Sequence, residues 1–160
     1  MKTEMAFPIC DSCASSWVLC KECEARARKG DISELDVLVS SLLASHGVKG
    51  YESLADFEKK LIIFASNEDA MAIIGPRGET VAELSKKLGR GIAVVSKTWD
   101  KDLIIKSLAR PSRLVAQNKV FTQGGERLKL IFDKPIDEGS VKLMKELVGD
   151  IEVEYQPYKR

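Results

Sequence analysis

The chain has 160 residues, is 44% hydrophobic and 31% charged, and carries a formal net charge of +1 at pH 7. That length and apolar content suffice for a buried core and favour one or two small domains over one large one. No apolar run approaches the roughly 18 residues of a membrane helix, and there is no low-complexity tract or lipidation signal, so no membrane partner is expected. The small net charge hides an asymmetry: residues 77–119 hold ten basic and four acidic side chains, a local excess of +6 against -5 elsewhere. Such a segment builds a positive field without making the whole protein basic, and its alternative is an ordinary solvated lysine-rich surface.

All four cysteines, Cys10, Cys13, Cys20 and Cys23, lie in the first 23 residues as CxxC-x6-CxxC. Two thiolate knuckles of this spacing complete one tetrahedral shell, with zinc-sulfur distances of about 2.3 Å. Two disulfides are the alternative, but the opening MKTEMAF lacks the apolar core of a secretory signal. A cytoplasmic, reducing setting and one zinc per chain are therefore expected. Rubredoxin-type iron or a cluster would suit the same thiolates. Four protein ligands leave no position for substrate, so the zinc is expected to be structural. Trp17, between the knuckles, is expected to pack over a module too small for its own core, with stacking on a base or partner as the alternative.

KECEARARKG reads as a short helix closed by Gly30. A longer helix follows in DISELDVLVSSLLASHG, with Asp31 or Ser33 as cap and Ile32, Leu35, Leu38, Val39, Leu42 and Leu43 recurring at helical steps. Gly47 ends it. His46, the single histidine, sits at its tail, where a cation favours the helix dipole, rather than in a metal or catalytic site. Strands are predicted near residues 48–57 and over LIIFA at 61–65, whose continuous apolar character marks a central, covered strand.

SNEDAMAIIGPRGETVAELSKKLGRGIAVV begins with a Ser66/Asn67 cap and a short helix to Ile73-Ile74, crosses Gly75-Pro76-Arg77-Gly78, resumes as a helix over 79–88 and ends in a strand over 92–95. Two glycines around a two-residue turn let a phosphate backbone approach the main chain, and the next helix offers unpaired N–H groups and the positive end of its dipole. Arg77 adds charge at the tip, and Pro76 stiffens the turn at the cost of one donor.

GxxG alone is weak. With Ile73-Ile74 before it, a basic residue within it, and a helix carrying Val81 and Leu84 followed by an apolar strand, this stretch resembles the KH domain. The αββααβ order over residues 31–97 resembles its type II form, as in NusA-like transcription factors. That resemblance implies that Gly75, Pro76, Arg77 and Gly78 clamp the backbone of single-stranded RNA, about four nucleotides in length, with bases in an apolar groove. Ile73, Ile74, Val81, Leu84, Ile92 and Val94 would supply the groove and the core beneath it, undivided at this point. Lys86 and Lys97 join the expected RNA surface. Trp99, beside Lys97 and Lys101, suits either base stacking or interdomain packing.

The last third partly echoes this unit as αββαβ: a helix over 102–109, strands over 112–122 and 127–132 around a Gly124-Gly125 turn, a helix over 137–148 and a strand over 151–155. DKPIDEG stands where GxxG would be, with Asp133, Asp137 and Glu138 repelling phosphate. This resembles a second KH-like domain that has lost its clamp, in the tandem arrangement of archaeal NusA-like proteins, with Lys101, Lys106, Arg110 and Arg113 extending a basic surface. The expected fold is α+β, with a four-cysteine module at 1–30, a type II KH domain at 31–98 and a degenerate KH-like domain at 99–160.

The leading expectation is a single-stranded RNA-binding protein of archaeal NusA-like type, acting in transcription elongation or termination, RNA processing or ribosome assembly. The alternative is an interaction module in which zinc finger and KH units dock on RNA polymerase or a ribosomal partner. An enzyme is disfavoured: a lone histidine, a closed metal shell and no nucleophile motif leave nothing to perform chemistry.

Overall fold

Ser33 starts the longest helix of the N-terminal half by a reciprocal capping box. Its hydroxyl accepts from the Asp36 N–H at 3.0 Å, and its own N–H donates to the Asp36 carboxylate at 3.1 Å. The computed structural model in which this is seen describes residues 7–57, 60–110 and 112–156. It is a mixed α+β fold that divides into two compact units, Met1–Ser96 and Lys97–Arg160.

The first unit runs α1 (Asp11–Ser16), α2 (Lys21–Arg28), α3 (Glu34–Ser45), β1 (Ser53–Phe57), β2 (Lys60–Phe64), α4 (Asn67–Ile74), a 3-10 turn (Pro76–Gly78), α5 (Glu79–Leu88) and β3 (Gly91–Val95). Its sheet has the order β1-β2-β3. β1 and β2 are antiparallel, with Ser53 opposite Phe64, and β2 and β3 are parallel, with Leu61 opposite Ile92. Every residue of β2 is buried, as the unbroken apolar run predicts for a central strand.

The first strand is shorter than the sequence suggests. Tyr51 turns inward instead of continuing the ladder: its hydroxyl donates to Asp36 Oδ1 at 2.8 Å and accepts from the Ser40 hydroxyl at 3.4 Å. Burial of the phenol above all, and the Asp36 carboxylate beside it, raise its pKa against the opposing pull of the Ser40 hydroxyl. The Phe7 and Tyr51 rings meet in an edge-to-face pair, with centroids 6.0 Å apart. Ile9, Cys13 and Ala14 are buried as well, and α1 packs on α3. The cysteine-bearing segment therefore belongs to the same compact unit as residues 31–96. Burying Phe7 and Ile9 contributes about 2 kcal/mol each.

The second unit runs α6 (Lys101–Ala109), β4 (Leu114–Thr122), β5 (Gly125–Phe132), α7 (Glu138–Val148) and β6 (Ile151–Tyr155). Asp100 caps α6 by accepting from the Leu103 N–H at 2.8 Å, and Asp137 caps α7 through the Ser140 N–H at 2.9 Å. The sheet order is β4-β5-β6, with β4 and β5 antiparallel and β5 and β6 parallel. The hairpin turn falls on Gln123-Gly124, with Thr122 opposite Gly125, one residue earlier than the sequence suggests. Ile105, Leu108, Leu130, Phe132 and Met144 are fully buried in its core. Each unit thus repeats one plan: a hairpin, then a helical crossover to a third strand parallel to the second.

Candidate metal centre and nucleic-acid interface

Each CxxC pair straddles the start of a helix. Cys10 is the N-cap of α1 with Cys13 inside it, and Cys20 is the N-cap of α2 with Cys23 inside it. All four Sγ atoms lie within 4.8 Å of one another. Cys10 Sγ is 3.3 Å from that of Cys13 and 4.0 Å from that of Cys20. A tetrahedral ion with bonds of about 2.3 Å has sulfur-sulfur edges of just under 4 Å, so the cluster is compatible with a single zinc site.

Backbone donors point at the sulfurs. The Cys20 N–H donates to Cys13 Sγ at 3.0 Å, the Cys10 N–H to Cys23 Sγ at 3.5 Å, and the Cys23 N–H to Cys20 Sγ at 3.5 Å. This last contact leads the set that brings the Cys20 thiol down to about 7. Burial pushes Cys13 up to about 12 and raises Cys23 as well. Two sheltered thiols resist ionising without a cation beside them, and a divalent ion supplies that charge. The donor set therefore fits zinc, which the four cysteines would hold with no position left for substrate.

Trp17 does not cover this module. Its N–H donates to the Cys13 carbonyl at 3.1 Å and its backbone turns left-handed at φ 64°, which ends α1 and leaves the indole 52% exposed. The expected packing role is corrected on that ground. Trp99 is half-buried.

The second candidate site is the loop between α4 and α5. Gly75 closes α4, its N–H donating to the Met71 carbonyl at 3.0 Å, with φ 73° and ψ 174°. Arg77 and Gly78 are left-handed, at φ 55° and 73°, and the Gly78 N–H donates to the Gly75 carbonyl at 3.1 Å. A side chain at Gly75 has no room, because its Cβ would lie 2.2 Å from Thr80 Oγ1. Pro76 and Arg77 are exposed at the tip, and the N-terminus of α5 follows directly. A left-handed arginine is uncommon, and here it projects the guanidinium into solvent.

Burial divides the apolar residues that the sequence left undivided. Ile73, Leu84 and Val94 are buried in the core, whereas Ile74, Val81 and Ile92 are half-buried. Ile73 is thereby removed from any surface a ligand can touch. Met71, 58% exposed one turn before Gly75, carries no motif and was not singled out by the sequence. Lys86 is exposed on the last turn of α5, and Lys97 is exposed at the start of the second unit.

Arg90 leaves the basic surface altogether. One terminal nitrogen reaches the Asp56 carboxylate and the Phe57 carbonyl, and lies 3.2 Å from the Lys60 carbonyl, so the guanidinium ties β1 to β2. His46 is the C-cap residue of α3, and its Nε2 lies 3.4 Å from the Glu83 carboxylate on α5. A cleft of about 580 Å³ borders Phe7, Asp36, Tyr51 and Asp56, but Asp36 is engaged by Tyr51 and Ser33, and Asp56 by Arg90.

In the second unit the segment between β5 and α7 is closed on its own sheet. Asp133 accepts from the Arg113 N–H at 2.7 Å, the Ser112 hydroxyl donates to the Pro135 carbonyl at 3.3 Å, and the Ile136 N–H donates to the Tyr155 hydroxyl at 3.3 Å. It contains no glycine pair, and it offers carboxylates where the first unit offers Arg77.

No described helix is long and apolar enough to cross a membrane. No family model matches the chain, and no curated protein matches it. Among solved structures it is similar to one titled "Crystal structure of APE1850", at 23% identity and a TM-score of 0.42, over 74% of this chain and 94% of that one.

Proposed function

We propose that this chain binds single-stranded RNA through a type II KH-like first unit, with a structural zinc bound by Cys10, Cys13, Cys20 and Cys23 and a clampless KH-like second unit. The observation that carries this reading is the loop from Gly75 to Gly78: two glycines, an exposed Arg77 with left-handed backbone, and the N-terminus of α5. Phosphates approach where no Cβ intervenes and where N–H groups and a guanidinium converge. Half-buried Ile74, Val81 and Ile92 offer the apolar surface on which unstacked bases rest. The order α3-β1-β2-α4-α5-β3 supports the KH comparison, and its echo in α6-β4-β5-α7-β6 supports a tandem arrangement of archaeal NusA-like type. A role in transcription elongation or termination, RNA processing or ribosome assembly follows from that comparison.

Titration of labelled single-stranded RNA, with the same sequence in duplex form beside it, tests the reading. Single strands should bind more tightly, and log affinity should fall linearly with log salt by about 0.7 per phosphate neutralised. Salt-independent affinity, or a preference for duplex, would remove the clamp from consideration. It would favour the second reading, a module docking on RNA polymerase or a ribosomal protein, to which the exposed Trp17 and Val18 beside the cysteine cluster lend support.

A further inference from the structure

Natural sheet edges are kept short, charged or covered, because an open edge pairs with any strand that reaches it. At the edges of the two sheets, β1 and β6 are five residues each, β1 bearing Asp56 and β6 bearing Glu152 and Glu154, and β3 is largely buried. β4 differs. It is nine residues long with Lys119 as its single charge, and it leaves Val115 50% and Phe121 76% exposed.

The strand LVAQNKVFT is also self-complementary when laid antiparallel on a second copy. With Asn118 opposite Asn118, Ala116 meets Val120, Gln117 meets Lys119, and exposed Val115 comes level with exposed Phe121. Centring the pair on Lys119 would oppose two ammonium groups, which is destabilising. The bulge between Leu114 and Ala116 lies at the far end of the strand and leaves the rungs from 116 to 120 regular.

We propose that β4 pairs with β4 of a second copy of this chain about a two-fold axis through Asn118, joining two three-stranded sheets into one of six strands. Five regular rungs make a small interface, so the dimer is weak and reversible. The proposal does not rest on the RNA reading.

Sedimentation equilibrium of the full chain tests it. The parent should show a monomer-dimer equilibrium. Gln117→Lys places two lysines opposite each other twice per dimer and should raise Kd about tenfold. Adding Lys119→Glu to that variant makes both opposed pairs attractive and should return Kd to the parent value or below. Gln117 and Lys119 are both exposed, so each variant should keep the parent circular dichroism spectrum. A parent that stays monomeric to its solubility limit overturns the proposal. So does a dimer indifferent to Gln117→Lys, or a double variant no tighter than the single one.

Discussion

Gly75 packs directly against Thr80, so closely that a methyl group on Gly75 would lie 2.2 Å from Thr80 Oγ1 and 2.7 Å from its Cβ. Gly78, at the other end of the loop, has only Val81 at 4.0 Å from the same virtual atom. The two glycines thus serve different ends: Gly75 lets α5 dock against the end of α4, and Gly78 supplies a left-handed backbone facing open space. Gly75→Ala should cost about 2 to 3 kcal/mol through overpacking added to backbone strain, and Gly78→Ala about 1 kcal/mol through strain alone. Denaturant unfolding of both variants checks this, and equal costs would mean that Thr80 gives way freely.

Arg77 and Pro76 carry the complementary expectation. Both are exposed, and aspartate tolerates a left-handed backbone better than most residues, so Pro76→Asp with Arg77→Asp should leave thermal stability nearly unchanged. Two carboxylates at the tip should weaken single-stranded RNA binding tenfold or more. Undiminished binding at moderate salt would place the RNA elsewhere.

Zinc removal should be felt beyond the cysteines themselves. Phe7, Ile9, Cys13 and Ala14 are buried, and α1 packs on α3, so release of the metal should loosen that packing. Metal analysis should find one zinc per chain. Chelation, or Cys20→Ser, should lower hydrogen-exchange protection in α1, α2 and α3 while leaving β5 and α7 as protected as before. Protection lost only within the first 30 residues would show that the buried contacts of Phe7 and Ile9 stabilise little.

The parts of this molecule legible in its sequence are those written locally. The cysteine spacing brought four sulfurs together, the apolar run of β2 marked a central strand, and Gly75 and Gly78 marked a turn. What sequence reasoning missed depends on partners far along the chain. Arg90 counted as one more cation of a basic segment, yet it is committed to Asp56 and to the carbonyls of Phe57 and Lys60, more than thirty residues away in two of the three contacts. Trp17 read as a cover for a small module, but the left-handed backbone that ends α1 turns it outward. The packing of α1 on α3 and the meeting of Phe7 with Tyr51 join the cysteine segment to the rest of its unit, and no spacing rule connects either pair.

Tyr51 gives an alkaline limit to stability. Burial raises its folded pKa, so above a pH of about 10 the unfolded chain loses the phenolic proton while the folded chain keeps it. The unfolded state then binds fewer protons, and stability falls as pH rises. Below that range Tyr51 contributes no pH dependence. Tyr51→Phe should cost about 1 kcal/mol near neutrality, through the lost bond to Asp36, and should flatten the alkaline decline. Denaturation midpoints measured from neutral to strongly alkaline pH test this, and an unchanged slope in Tyr51→Phe would assign the decline to other groups.

Arg90 separates structural from ligand-binding cations. Its side chain is 16% exposed, and its head group holds the Phe57 and Lys60 carbonyls together with the Asp56 carboxylate. Arg90→Ala leaves those acceptors with fewer donors and should destabilise the first unit by about 2 kcal/mol or more, and Arg90→Lys should recover part of that loss, because all three acceptors face one terminal nitrogen that an ammonium can replace. In conditions where Arg90→Ala stays folded, the salt dependence of RNA binding should match the parent, since this guanidinium neutralises no phosphate. Lys86→Ala makes the contrast: Lys86 is exposed on α5, so its loss should leave stability within about 0.5 kcal/mol and reduce the salt slope by about 0.7. A shallower slope in Arg90→Ala would mean that the arginine swings out to RNA, and its tie between β1 and β2 would then be one of two states.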